Sequence, residues 1–175
     1  MNHKVVLLSI AVAGLLLSGT AATSSAKDMP KPKTNASFEQ LKSLAGEWEG
    51  ASAEGNPVRL EYQVVSNGTA LMERLHAAGD VEMVTMYSPD GPRVAVTHYC
   101  SSGNQPQMRT EALAAGAQEF TFDFVRATNL ESPAAGHMGR LVLTVRDHDH
   151  FTQEWSWMEN GKVAHRQVFH FTRKS

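Results

Sequence analysis

The sequence predicts an all-β protein, namely a single antiparallel up-and-down β-barrel of about ten strands with a short N-terminal helix. After Gly46, apolar side chains recur with the period of two that is typical of half-buried strands. Turn signals such as Asn67-Gly68 and Asn160-Gly161 separate the segments, and such pairs favour tight hairpins. Short loops indicate antiparallel neighbours, and an open sheet this long would expose its edges, so we expect the sheet to close.

The first 26 residues have the layout of a secretory signal peptide. A basic start, Met1–Lys4, precedes the apolar run Val5–Gly19, and small residues follow it, with cleavage expected after Ala26 or, alternatively, after Ala22. The apolar run holds about 15 residues, whereas a helix that spans a bilayer needs about 20. We therefore expect an exported protein, periplasmic or extracellular, with no membrane span after cleavage.

Composition limits the partners of the mature chain. Removal of residues 1–26 takes one lysine and no acidic residue, so the formal charge changes from −2 to −3. A net negative domain without a basic stripe does not indicate nucleic-acid binding. Cys100 is the single cysteine, so no intrachain disulfide can form, and we expect its thiol to be buried. Its reactivity and the oligomeric state stay open.

The mature chain divides into a tether and a domain. Residues 27–36 carry prolines and lysines and predict a flexible tether, and residues 37–173 form the predicted barrel domain. Ser37 followed by Gln40 matches a helix capping box, with Gly46 expected to end the helix. Phe38, Leu41 and Leu44 then share one helical face.

Ten segments follow with strand periodicity. In chain order the predicted strands are Trp48–Ala53, Val58–Val65, Ala70–His76, Val81–Tyr87, Arg93–Cys100, Gln107–Leu113, Glu119–Arg126, Arg140–Arg146, His150–Met158 and Val163–Thr172. The connection Ala127–Gly139 is long and rich in small residues, which is typical of a loop that can cover a barrel mouth.

The segment Arg146–Phe151, RDHDHF, offers the best metal-binding pattern. His148 and His150 are spaced two apart, and Asp147 and Asp149 could add oxygen ligands. The segment also joins two strands, and aspartates favour turns because they bond their own backbone. We therefore interpret it as a solvated turn and predict no metal site.

The stretch Val94–Arg109 mixes apolar and polar residues most densely and predicts a ligand pocket. Alternation places His98 on the face of Val94 and Val96, and Tyr99 on the opposite face, so either His98 or Tyr99 could orient a ligand. Trp155 and Trp157 share one face of their strand and would supply apolar area. The candidate ligand-binding residues are His98, Tyr99, Asn104, Gln105, Arg109, Trp155, Trp157 and Arg166.

We expect binding of a small apolar or amphipathic molecule rather than catalysis, although an enzymatic role stays open. The sequence contains no nucleophile elbow, no glycine-rich phosphate loop and no paired-carboxylate motif, so we assign no catalytic residue. His98 and Cys100 stand about 6.5 Å apart along a strand, which is too far for an ideal catalytic pair.

Three segments carry a resemblance to a known family. LAGEWEG (44–50), LMERLHAAGDVEMVTMYSPDG (71–91) and VTHYCSSGNQPQMR (96–109) resemble the DUF1579-type domains, bacterial exported proteins of unknown function in the calycin or lipocalin-like group. This resemblance implies a calycin-like barrel whose Gly-x-Trp tryptophan, here Trp48, plugs the base beside a short helix. It implies no activity.

A more distant likeness is to nitrobindins, ten-stranded haem-binding barrels that also begin with Gly-x-Trp. The closing segment FHFTRK (169–174) is similar to the strand that supplies their haem-ligating histidine. The likeness implies haem as an alternative to a barrel without cofactor, with His170 or His165 as axial ligand and chemistry related to peroxide or nitric oxide. A second alternative is a solid structural or interaction barrel.

Overall fold

A computed structural model describes residues 33–77 and 81–175. The expected signal peptide, residues 27–32 of the tether and the short segment 78–80 lie outside the described residues. Within the described part, no helix combines the length and the apolar character that a membrane-spanning helix needs.

The described residues form a closed antiparallel barrel of ten strands, which confirms the predicted fold class. The strands are β1 (Gly46–Ser52), β2 (Pro57–Val65), β3 (Ala70–Ala77), β4 (Met83–Asp90), β5 (Arg93–Tyr99), β6 (Gln105–Arg109), β7 (Glu119–Thr128), β8 (His137–Val145), β9 (His150–Glu159) and β10 (Lys162–Arg173). Each strand pairs with the next in sequence, and β1 also pairs with β10 to close the sheet.

The helix α1, Ala36–Lys42, begins two residues earlier than the capping box predicted, because its N-cap is Asn35 and not Ser37. Asn35 is its N-cap, and the Asn35 side chain accepts a hydrogen bond from the Phe38 backbone N–H at 2.8 Å, while Ser37 is buried within the first turn. Asn35 also donates to the backbone oxygen of Arg93 at 2.8 Å. The cap therefore ties the helix to the β4–β5 hairpin as well as starting it.

The helix ends at Lys42, not at Gly46. Gly46 instead opens β1 with a φ of +129°, a backbone conformation that side chains other than glycine rarely adopt. Phe38, Leu41 and Leu44 are all buried in the core, as their shared helical face predicted.

The strands differ from the predicted ones by up to four residues at their ends, most at the end of β6. β6 ends at Arg109, and residues 110–118 are a loop, so the predicted strand Gln107–Leu113 extended too far. The long connection is shorter than expected, because β7 continues to Thr128 and β8 begins at His137. Apolar alternation continues past a strand end when loop residues still pack on the core, so the pattern alone does not show where pairing stops.

Residues 146–149 form the exposed connection of β8 and β9, which confirms the turn prediction for that part of the segment, whereas His150 opens β9 and Phe151 is buried. The Asp147 carboxylate accepts from the backbone N–H of Asp149 at 2.8 Å and contacts His150 Nδ1 at 2.8 Å. Among the described residues, no group of three or more acidic, histidine or cysteine side chains is placed to hold a metal ion.

One end of the barrel, which we call the base, is filled by Trp48. Its indole N–H donates to the backbone oxygen of Leu44 at 2.8 Å, and its ring meets Phe151 edge-on at 4.6 Å between centroids. The Arg173 guanidinium lies over the indole ring at 4.1 Å and donates to the backbone oxygen of Ala45 at 2.9 Å. Trp48 therefore closes the end of the barrel that carries α1.

Candidate ligand cavity

The opposite end, which we call the mouth, contains a cavity of about 570 Å³. This volume lies within the range of about 300–1,000 Å³ that is usual for small-molecule sites. The apolar wall is formed by Val58, Leu75, Met83, Trp155, Trp157 and Phe169. Polar side chains on its lining include Ser52, Asn56, His98, His165 and Gln167. The Glu54 carboxylate and the hydroxyls of Ser101 and Ser102 also lie on the lining, so the cavity combines an apolar wall with a polar one.

Strand alternation explains how these side chains meet. On β9, Phe151, Gln153, Trp155 and Trp157 all point inward, and the first two lie deeper than the tryptophans. On β10 the inward series ends in His165 at the mouth, where its ring stacks on Trp157 with 6.0 Å between centroids. The two strands thus supply one aromatic side of the cavity.

His98 is the most deeply buried ionisable side chain on the cavity wall, with 3% of its surface exposed. Its ring packs on Trp155 at 4.6 Å, and Nδ1 bonds to the Thr85 hydroxyl at 2.9 Å. Within the described chain, Nε2 has no hydrogen-bond partner. Burial lowers the pKa of His98 from 6.5 to about 4, so the imidazole is neutral at pH 7.

Behind His98 lies a buried carboxylate, Glu73, which is 1% exposed. Its Oε2 accepts from the hydroxyl of Tyr87 at 2.6 Å and from the side-chain amide of Gln153 at 2.8 Å, and its Oε1 accepts from Thr85 at 3.3 Å. Burial raises the pKa of Glu73, although the hydrogen bonds from Tyr87, Tyr62 and Gln153 oppose that rise. Several donors therefore satisfy this buried acid, as a charge away from solvent requires.

The same network fixes the inner aromatic residues. Gln153 also donates to the Tyr62 hydroxyl at 2.9 Å and accepts from the Trp155 indole at 3.0 Å. Burial, together with the neighbouring Glu73, raises the pKa values of Tyr62 and Tyr87 well above 10. Both phenols stay protonated and hold the floor of the cavity in one arrangement.

Glu73 and Thr85 were not among the sequence-based candidates. A signal for Glu73 exists, because Leu71, Glu73 and Leu75 occupy successive inward positions of β3, and a carboxylate in such a series requires partners. Thr85 gives no comparable signal, since threonine is common in strands on either face. Its role depends on β4 lying between β3 and β5.

Four of the sequence-based candidates line the cavity. These are His98, Trp155, Trp157 and, from the haem alternative, His165. Cys100 also lies on the lining, but β5 ends at Tyr99, so the thiol is partly exposed and not fully buried as expected. The structure places the remaining candidates elsewhere.

Three candidates lie on the outer face of the barrel, which corrects the expectation that they line a pocket. Tyr99 alternates with the inward His98 and is 50% exposed. Arg109 pairs with Asp90 at 3.2 Å, and Arg166 pairs with Glu154 at 3.1 Å, all of them largely solvent-accessible side chains. Since alternation assigns these residues to a face without saying which face is inside, the sequence left their direction open.

Asn104 and Gln105 stabilise the loops at the mouth rather than lining the cavity. The Asn104 amide donates to the backbone oxygen of Gly136 at 2.9 Å, which joins the β5–β6 and β7–β8 connections. Gln105 accepts from Thr128 at 2.8 Å on the outer surface. Neither residue is on the cavity lining, and the buried Asn104 Oδ1 has no hydrogen-bond partner within the described residues.

His170 is exposed on the outer face of β10, between the inward Phe169 and Phe171. It is absent from the cavity lining, so a haem in this cavity could not be ligated by His170. Of the two histidines that the nitrobindin likeness suggested, His165 alone faces the cavity.

Comparison with known proteins shows the fold and no more. No family model matches the chain, and no curated protein matches it. Among solved structures, the chain is similar to Rv2717c from M. tuberculosis, with a TM-score of 0.57 and 13% identity over 82% of this chain and 100% of that one. At this identity the likeness supports the β-barrel alone.

Proposed function

We propose that this protein is a binding protein that holds a small, mainly apolar molecule in the cavity at the barrel mouth. The observation that carries this proposal is the cavity of about 570 Å³ with an apolar wall and the unpartnered Nε2 of His98. Such a combination is typical of small-molecule sites, where a few polar groups orient an otherwise apolar ligand. A cavity of this size also disfavours the alternative of a solid structural barrel.

We also propose that the protein binds its ligand outside the cytoplasm. The basic start, apolar run and small residues of the first 26 residues favour export to the periplasm or the exterior, and the DUF1579-type resemblance agrees with that compartment. N-terminal sequencing of the protein recovered outside the cytoplasm tests this part. A mature chain that starts at Lys27 or Thr23 is expected, whereas retention of Met1–Lys4 would contradict it.

The binding proposal is tested with N-phenyl-1-naphthylamine, a neutral probe whose fluorescence rises in apolar surroundings. We expect saturable binding to the mature protein and loss of it in Ala77→Phe, because Ala77 lines the cavity and a phenyl group there would fill it. The matched control is Ala164→Phe on the exposed part of β10, which should bind as the wild type does. Equal binding by both variants would contradict the proposal.

Haem is the second candidate, and one observation favours it: His165 faces the cavity and stacks on Trp157. Bound haem would supply redox chemistry towards peroxide or nitric oxide, and His165 would hold the iron. Haem titration should give a Soret band that persists in His170→Ala and disappears in His165→Ala. A band that survives both substitutions would exclude His165 as the ligand.

A further inference from the structure

A chain of three buried side chains leads from the barrel interior to the cavity. Glu73 Oε1 accepts from the Thr85 hydroxyl at 3.3 Å, and Thr85 Oγ1 lies 2.9 Å from His98 Nδ1. All three residues are at most 3% exposed. His98 is the member of this chain that lines the cavity, and its buried Nε2 has no hydrogen-bond partner within the described residues.

The direction of these hydrogen bonds decides what His98 presents to a ligand. A hydroxyl has one proton, so Thr85 cannot donate to His98 while it donates to Glu73. His98 Nδ1 must then carry a proton and donate to Thr85. Because a neutral imidazole has one N–H, Nε2 is left with a free lone pair on a side chain that lines the cavity.

Two further contacts support this direction. The Tyr87 hydroxyl and the Gln153 amide both donate to Glu73 Oε2 and favour the ionised carboxylate, whose Oε1 then accepts from Thr85. The low pKa of His98 keeps the imidazole neutral at pH 7. Nε2 is therefore a buried acceptor whose partner must come from the cavity.

We propose that the cavity selects uncharged amphipathic molecules whose single polar group is a hydrogen-bond donor, a hydroxyl or an N–H, which donates to His98 Nε2. This inference rests on the proposed binding function and specifies its ligand class. The apolar part of such a molecule would lie against Leu75, Met83 and Phe169, which line the same cavity. If the only polar group of a ligand were an acceptor, its lone pair would face the lone pair of His98 Nε2, and the two would repel each other.

The test compares two competitors of similar shape, 2-naphthol and 2-methoxynaphthalene, which displace N-phenyl-1-naphthylamine from the mature protein at pH 7. We expect 2-naphthol to bind about threefold to tenfold more tightly, which is the effect of one neutral hydrogen bond. Equal affinities would overturn this inference and leave the binding proposal intact. Failure of the fluorescent probe itself to bind would overturn both.

Matched variants test whether His98 causes the preference for 2-naphthol over 2-methoxynaphthalene. His98→Phe should bind both competitors equally, since it keeps an aromatic ring and removes the acceptor. Gln167→Leu removes another polar side chain of the lining and should keep the preference. Thr85→Val should reduce the preference without weakening 2-methoxynaphthalene, because His98 then loses the group that fixes its proton. A preference that persists in His98→Phe would contradict the assignment.

A measurement without ligand tests the same arrangement. Nitrogen NMR of the imidazole should show His98 with a protonated Nδ1 and an unprotonated Nε2 at pH 7. If Glu73 instead carries a proton and donates to Thr85, the chain runs in reverse and Nε2 is protonated. That result would overturn the inference, and 2-methoxynaphthalene would then be the preferred competitor.

Discussion

The base and the mouth of this barrel are built from the same ten strands but differ in how they are filled. At the base, the inward positions hold Trp48, Phe151 and Phe171, whose rings contact one another at 4.6 and 4.8 Å. At the mouth, several inward positions hold small side chains such as Ser52 and Ala77. Large inward residues make a plug and small ones leave a cavity, so residue size at the strand ends determines where a ligand can enter.

The polar groups follow the same division. At the base, the Trp48 indole N–H is satisfied by Leu44, and Arg173 donates to Ser43, Ala45 and His148. At the mouth, His98 Nε2 lacks a partner within the described residues. Asn104 Oδ1, which is also buried at the mouth, has no partner among the described residues either. Because buried polar groups are nearly always paired, these two atoms mark the end of the barrel that meets a partner from outside.

The largest expected effect is the loss of the base plug. Trp48→Ala should lower the free energy of unfolding by about 3–5 kcal/mol, because a fully buried indole and its contacts with Phe151 are lost. Trp157→Ala at the mouth should cost much less, since that ring is partly exposed and borders a cavity. Urea unfolding of both variants measures the difference, and equal losses would contradict the contrast of base and mouth.

The second effect is a pH dependence that originates at the mouth. The pKa of His98 falls from 6.5 in the unfolded chain to about 4 in the folded protein, so the unfolded state binds more protons between these values. The free energy of unfolding should therefore decrease as pH falls from 6.5 towards 4, by on the order of 3 kcal/mol from this residue. His98→Phe should remove that decrease.

The titration of Glu73 changes stability with pH in the direction opposite to that of His98, so the His98→Phe variant is needed as a control. Burial raises its pKa above 4.5, so the folded state binds a proton more readily than the unfolded state. Its contribution to stability is present below pH 4.5 and is lost as pH rises through the folded pKa. Since wild type and His98→Phe both keep Glu73, the difference of their denaturation curves across pH 4–7 reports His98. If the difference in unfolding free energy between the two proteins did not change with pH, the pH dependence could not be assigned to His98.

A third comparison uses two glycines that leave no room for a side chain. A Cβ on Gly50 would lie 2.2 Å from the backbone oxygen of His170, and a Cβ on Gly136 would lie 2.4 Å from the Trp157 ring. Backbone cannot move aside, but a ring that borders a cavity can. Gly50→Ala should therefore cost about 1–3 kcal/mol of unfolding free energy, and Gly136→Ala less. Thermal unfolding of both variants measures these two costs. A larger loss of stability in Gly136→Ala than in Gly50→Ala would contradict the prediction.

The smallest effect concerns the outer face near the mouth. Arg166→Ala removes an exposed ion pair with Glu154 and should change the free energy of unfolding by less than about 1 kcal/mol. Binding of N-phenyl-1-naphthylamine should be unchanged, because Arg166 does not line the cavity, whereas the neighbouring Gln167 does. A clear loss of probe binding would show that β10 presents its other face to the ligand.

Much of the fold could be predicted because it depends on periodicity and turns. The strand number and the inward series on β9, with Trp155 and Trp157 on one face, follow from a period of two. β-Bulges limit this reasoning. Pairing shifts between Gln107 and Met108 as β6 meets β7, and Phe124, which continues the stripe of Phe120 and Phe122, is 39% exposed.

The candidate site was less predictable, because its members come from separate strands. His98, Thr85 and Glu73 belong to three neighbouring strands and meet because β4 pairs with both β3 and β5. Taken alone, each of them is either an ordinary strand residue or a titratable side chain whose position inside or outside the barrel is unknown. Arg166 and His170 illustrate the same limit: their spacing of four residues puts them on one face of β10, and only the structure shows that this face is outside.

By itself, the sequence determined the closed sheet, the capped amphipathic helix and the sets of residues that share a strand face, because these follow from local geometry and from the need to bury apolar area. The tertiary structure alone decided which face is inside, which end is filled and which buried polar groups of the described residues lack a partner. Those properties depend on contacts between distant strands. Gln153 and Glu73, for example, form a hydrogen bond across 80 positions of the chain.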